Sequence, residues 1–235
     1  MKILLLLITL FSISIISSQN LDGKQLLEKA IAYHDPYSNW KSFNSSFNVV
    51  MDSPNRPIRK SKIEINLPSS FFRLTVNQNE DILVSTLIND KCILTFNGEK
   101  DFSDEIKKEY RLDCERASVL KDYYTYLYGL PMKLKDPGTI IDPNVQKTTI
   151  KGIKCFVLKA TYEEAVGNDT WYFYFDQKTY ALKKYQFYHD ESKNDGEYIL
   201  LEDEVVVNGI KMPKNRSWYF NSNDQFLGID KLIIK

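Results

Sequence analysis

The chain has 235 residues, with 31 Lys and Arg against 31 Asp and Glu, so its charge calls for neither nucleic acid nor an anionic membrane surface. Aromatic residues make up 13 %, with 15 Tyr and 13 Phe against only 9 Gly and 8 Pro, a composition suited to sheets that bury one face and stay half-wet on the other. Three cysteines and two histidines, with no CxxC or HxxxH spacing, point to no metal site, and no cofactor is expected.

Residues 1–19 read as a cleaved secretory signal peptide, with Lys2, an apolar run from Ile3 to Ile16, and then Ser17 and Ser18. The run is short for a membrane span, and no cysteine near the cut offers a lipid anchor. The expectation is a periplasmic or secreted protein without a stable membrane span after cleavage, and a single domain over residues 20–235. In that oxidising setting Cys92 and Cys114 are the preferred pair, tying a strand to the segment entering a helix. Their loop of about 22 residues is worth about 3 kcal/mol on the chain-entropy model. Cys155, flanked by Ile153 and Val157, reads as a buried small hydrophobe.

The mature sequence opens on a short helix. Asp22 and Gln25 have capping-box spacing, Leu27, Ala30, Ile31 and His34 share a face, and Asp35-Pro36 stops it. From Lys41 the period changes to two, with Phe43, Phe47, Val49 and Met51 alternating against polar neighbours as a long half-buried strand. Strands at 58–67, 71–77, 82–88 and 91–96 follow with short connections, which makes an antiparallel meander. Asn97-Gly98 ends it. Residues 103–112 permit a helix, and Ala117 to Tyr128 carries Leu120, Tyr123, Tyr124 and Leu127 at helical spacing before Gly129 and Pro131. Leu130, Met132 and Leu134 in the GLPMKLKDPGT loop read as buried anchors.

Strands resume at 146–150 and 154–162. In the hairpin DTWYFYFDQKTYALKKYQFYHD, Trp171, Phe173 and Phe175 point to one side and Tyr172 and Tyr174 to the other. Three more strands follow, at 198–207, 210–220 and 226–234. Asn208-Gly209 predicts a type I′ hairpin, and Pro213 an edge or a bulge. The pattern predicts a mainly β (α+β) fold: a strongly curved antiparallel sheet of about eleven strands, forming a half-open barrel with helices in its concave side.

His189-Asp190-Glu191 and His34-Asp35 are the clustered acid-base candidates, but no nucleophile signature accompanies them and each His sits at the end of an element. Asn194-Asp195-Gly196 is turn chemistry. An enzyme is not expected. The order of signal peptide, helix, YHDP, meander, helix insertion, GLPMKLKDPGT, WYFYFDQKTYALKKYQFYHD, NDGEYI and NGIKMPKNRSWYFN resembles a family of uncharacterised exported bacterial proteins. That family is similar in turn to the outer-membrane lipoprotein-sorting carriers, LolA and LolB. The resemblance implies a half-open barrel that holds acyl chains in an apolar cavity under a helical lid, with a lipid or an acylated protein as partner.

The facing apolar surfaces name the expected cavity lining: Phe43, Phe47, Val49 and Met51 from the long strand, Leu120, Tyr124 and Leu127 from the lid, and Trp171, Phe173 and Phe175 from the hairpin. A monomer is expected. The alternative is a barrel filled by its own aromatic side chains, serving as a structural or interaction module of the envelope.

Overall fold

The computed structural model describes residues 21–89 and 91–234, so the expected signal peptide lies outside the described residues. The expected capping box starts α1 (Gly23–His34): the Gln25 N–H donates to the Asp22 carboxylate at 2.8 Å, and the Asp22 N–H donates to the Gln25 side chain at 3.1 Å. The helix buries one face, formed by Leu26, Leu27, Ala30 and His34. Asp35 then ends it. Its buried carboxylate accepts the N–H groups of Asn39 at 2.7 Å and Trp40 at 2.9 Å, seating Trp40 in the core. Removing that carboxylate in Asp35→Ala leaves the buried Trp40 N–H without a partner, and urea unfolding should record a loss of about 1–3 kcal/mol.

Strands β1 (Asn44–Asp52), β2 (Arg59–Asn66), β3 (Phe71–Gln78), β4 (Asp81–Ile88) and β5 (Lys91–Phe96) form the first meander. Helices α2 (Asp104–Tyr110) and α3 (Cys114–Tyr128) follow. The second group comprises β6 (Thr139–Ile141), β7 (Gln146–Ile150), β8 (Ile153–Tyr162), β9 (Thr170–Asp176), β10 (Leu182–Tyr188), β11 (Glu197–Val207), β12 (Ile210–Phe220) and β13 (Phe226–Ile233). The last strand pairs with the first. This joins both groups into one 13-stranded sheet in the order β5-β4-β3-β2-β1-β13-β12-β11-β10-β9-β8-β6, with β7 also on β8. Every described pairing is antiparallel, and the sheet does not close: β5 stands at one edge, and β6 and β7 share the other.

Against the expected eleven or so, the sheet has 13 strands; every expected segment forms one, and the unexpected strand is β6, whose three residues cannot display a period of two. The turn at Asn208-Gly209 has positive φ at both residues, 50° and 79°, as a type I′ hairpin requires. Pro213 lies just past the last β12–β13 pair, Asn215 with Lys231, where the strand is locally an edge. The loop after α3 buries Leu130, Met132 and Leu134 as anchors.

His34 acts as a staple between α1 and the sheet. It is fully buried; its Nε2 accepts the Leu182 N–H at 3.0 Å while its Nδ1 lies 2.6 Å from the Lys211 carbonyl. An accepting Nε2 places the proton on Nδ1, so the ring is neutral and donates to that carbonyl. Burial drives its pKa below the ordinary value of 6.5.

Candidate functional site: the concave face beneath the lid helix

Antiparallel register decides which side chains share the concave face, since directly opposed residues point the same way. Phe47 opposes Ile63, Phe173 opposes both Leu158 and Tyr185, and Trp171 opposes Phe187 and Ala160. Helix α3 crosses this face and docks by its rings. Tyr128 meets Phe47 at 4.7 Å between centroids, Tyr124 stacks on Phe72 at 6.4 Å, Tyr123 stacks on Trp218 at 6.3 Å, and Tyr126 meets Trp171 edge-on at 5.3 Å. The helix thus touches both halves of the sheet. Burial pushes the hydroxyl pKa values of Tyr123, Tyr126 and Tyr128 well above 10.0, so these rings are neutral at any physiological pH.

Disulfide Cys92–Cys114 joins β5 to the first residue of α3, with Cα atoms 5.9 Å apart, as expected from the sequence. Cys155 is free and buried.

Of the ten residues expected to line a cavity, Phe43, Phe47, Val49, Tyr124, Leu127, Phe173 and Phe175 are buried in one continuous core. Leu120 and Trp171 pack on its margin, and Met51 stands apart from it. Three cavities border α3. The largest of the three, about 470 Å³, lies between Lys121, Asp122 and Thr125 of the helix and Trp40, Ile65 and Phe72, and holds none of the ten expected residues. A second, of about 230 Å³, lies between the α2–α3 segment and the first meander, where Leu74, Leu120 and Tyr124 meet the charged Arg59, Glu109, Arg111, Asp113 and Arg116. The third, of about 260 Å³, is lined by Met51, Tyr123, Trp218, Ile229 and Asp230. The latter two fall below the roughly 300–1,000 Å³ of an ordinary small-molecule pocket. Leu120, Tyr124 and Met51 are therefore the expected residues that border these two cavities, while the remainder fill the space between sheet and helix.

Sequence reasoning missed a buried polar row. Arg59, Met51, Asp230, Arg216 and Leu201 are consecutive cross-strand partners on β2, β1, β13, β12 and β11. Arg216 and Asp230 are 1 % and 2 % exposed. The Arg216 guanidinium lies over the Tyr128 ring at 3.9 Å and donates through Nη1 to the Pro213 carbonyl at 2.8 Å. Burial raises the Asp230 pKa, against the lowering pull of Arg216 and Arg59. Its signal was present: Arg216 is in phase with the inward-facing Trp218, and Asp230 with the buried Leu232.

The clustered acid-base candidates hold a surface turn together. The N–H groups of His189 and Asp190 donate to the Asp195 carboxylate at 2.8 and 2.9 Å, His189 pairs with Asp169 at 2.7 Å, and Glu191 accepts from Tyr172 and Lys159. Among the described residues no three His, Cys, Asp or Glu side chains gather as metal ligands, and no helix is long and apolar enough to cross a membrane. On the opposite, convex face Lys184 sits between the Tyr174 and Tyr198 rings at 4.8 and 4.5 Å, and burial lowers its pKa to about 8.

An unclosed antiparallel sheet with a helix laid across its hollow is the LolA-like fold. A LolA superfamily protein from Nitrosomonas europaea superposes with a TM-score of 0.50 at 11% identity, over 92% of this chain and 93% of that one. A putative outer membrane lipoprotein-sorting protein domain from Vibrio parahaemolyticus gives 0.51 at 8% identity, over 90% of both chains. A DUF1329 family protein from Desulfovibrio piger gives 0.50 at 10% identity, over 90% and 91%. No curated protein matches the sequence. Residues 1–235 match the Family of unknown function (DUF6503), and the chain belongs to that family.

Proposed function

We propose that this protein is an exported, non-enzymatic carrier that holds a lipid or acyl chain between the concave sheet and α3. The observation that supports it is the continuous apolar core roofed by α3, with a mixed, partly charged cavity at Leu120 and Tyr124 and a largely apolar one at Met51, Leu227 and Ile229. Because the cavities beside Tyr124 and Tyr123 are small, the ligand enters by displacing ring contacts of α3, joining the two spaces. Burial of apolar surface supplies the drive, at about 25 cal/mol per Å². The acyl chain comes from a free lipid or from an acylated protein, and the carrier works as a monomer in the periplasm or outside the cell.

Titration of delipidated protein with a dansyl-labelled acyl chain tests this reading. One saturable site with blue-shifted emission is expected, and Leu120→Trp, which fills the cavity of about 230 Å³, should weaken it about tenfold, or 1.4 kcal/mol. Absence of saturable binding would sink the proposal.

A second reading is an envelope interaction module with a filled interior, favoured by the complete burial of Phe43, Phe173, Phe175 and Tyr185. Cross-linking in intact cells that recovers a specific protein partner supports it. Recovery of monomer alone removes it.

A further inference from the structure

Buried polar groups are almost always hydrogen-bonded, so a cluster that is not points to a missing partner. Arg216 Nε and Nη2, Arg59 Nε, Tyr128 OH, Tyr185 OH, Trp218 Nε1 and Asp230 Oδ1 are all buried without a hydrogen bond of good geometry among the described residues, although Tyr185 lies near Arg216 and Asp230 near Trp218. Most of these atoms are donors. The two free nitrogens of Arg216 form one edge of the guanidinium, the edge that grips a carboxylate bidentately, while Nη1 is already occupied by Pro213. Asp230 is the cross-strand partner of Arg216, yet no ion pair joins them. With two arginines and one aspartate, the row carries excess positive charge.

The cluster also has an approach. Asp230 and Trp218 line the cavity of about 260 Å³, beside the apolar Met51, Leu227 and Ile229, and Arg216 lies one strand further in, about 4.8 Å. Arg59, at the other end of the row, lines the second cavity. Arg216 itself lines neither cavity, so an anion reaches its free edge from the cavity of about 260 Å³ past Asp230 and Trp218.

We propose that Arg216, with Tyr185, Tyr128 and Trp218 around it, binds the carboxylate head of a long-chain fatty acid whose tail occupies the cavity of about 260 Å³ lined by Met51, Leu227 and Ile229. This rests on the carrier reading and narrows its ligand from any acyl chain to one with an anionic head. The head receives two parallel N–H donors from Arg216 and hydroxyl donors from the tyrosines; the tail gains apolar burial. An esterified chain would meet the same cavity but leave the donors unmatched, so the site selects for the free acid.

The test compares cis-parinaric acid with its methyl ester by fluorescence titration, on wild type, Arg216→Met and Tyr185→Phe, each checked for folding by thermal melting. A charge-assisted bidentate contact predicts that wild type binds the acid about 10- to 100-fold tighter than the ester. In R216M the ratio of acid to ester affinity should fall to about one. Y185F removes one hydroxyl and serves if R216M does not fold; its acid-to-ester ratio should fall about three- to tenfold. Equal affinity for acid and ester in wild type overturns the head-group site and leaves the carrier reading standing, as does a preference unchanged in both variants. Failure of both probes to bind overturns the carrier reading and this proposal together. Inorganic phosphate or acetate binding as tightly as cis-parinaric acid would assign the site to a free anion and overturn the fatty acid.

Discussion

Replacing His34 by leucine should lower the unfolding free energy by about 2–5 kcal/mol, because it keeps the volume but orphans the buried Leu182 N–H and Lys211 carbonyl. Those two bonds hold α1 against β10 and β12, so the helix should lose hydrogen-exchange protection before the sheet does. The same residue sets a pH dependence. Burial holds the folded pKa below 6.5. As pH falls below 6.5 the unfolded chain takes up a proton that the folded chain refuses, and stability declines until pH reaches the folded value. His189 runs the other way: its bond to Asp169 raises its pKa, so its contribution is present below 6.5 and is lost as pH rises through the folded value. That pair is exposed and solvent-screened, so the His34 effect dominates. Urea unfolding at pH 7.5 and 5.5 should show a weaker protein at the lower pH, and His34→Leu should remove most of the difference. Equal stability at both values in wild type would contradict this assignment.

Opening the Cys92–Cys114 bridge should cost about 3 kcal/mol for its loop of 22 residues. The local consequence is larger than that figure conveys, since the bridge fixes the first turn of α3 to an edge strand. In the Cys92→Ser, Cys114→Ser double variant the helix keeps its ring contacts to Phe72 and Trp218 but loses its anchor. Under the carrier reading, ligand should then exchange faster with little change in the identity of what binds. Non-reducing peptide mapping should recover Cys92 joined to Cys114, and a thiol reagent should label Cys155 only after denaturation. A double variant as stable as wild type would remove the bridge from the account of the lid.

Period-two segments made most of the sheet legible. Trp171, Phe173 and Phe175 face inward as their alternation requires, and α1 carries the expected capping box. Cross-strand neighbours were another matter, because a strand pattern says which side a residue faces and nothing about what stands opposite. Pairing of β1 with β13 is what aligns Arg59, Met51, Asp230 and Arg216, and no local signal announces it. Helical spacing likewise put Tyr124 and Leu127 on the inner face of α3, yet gave no measure of how far the rings of Tyr123, Tyr124 and Tyr128 fill the hollow. Seven of the expected lining residues lie in the continuous core, Tyr124 among them, and Leu120, Tyr124 and Met51 stand at cavity walls.

Native mass spectrometry of the protein purified from its own host tests the carrier function most directly. The account predicts a population heavier than the bare mature chain by the mass of one acyl-chain lipid, released by organic extraction and recovered as a single lipid class. A spectrum showing only the bare chain, with no lipid in the extract and α3 as protected from hydrogen exchange as the central strands, would contradict it.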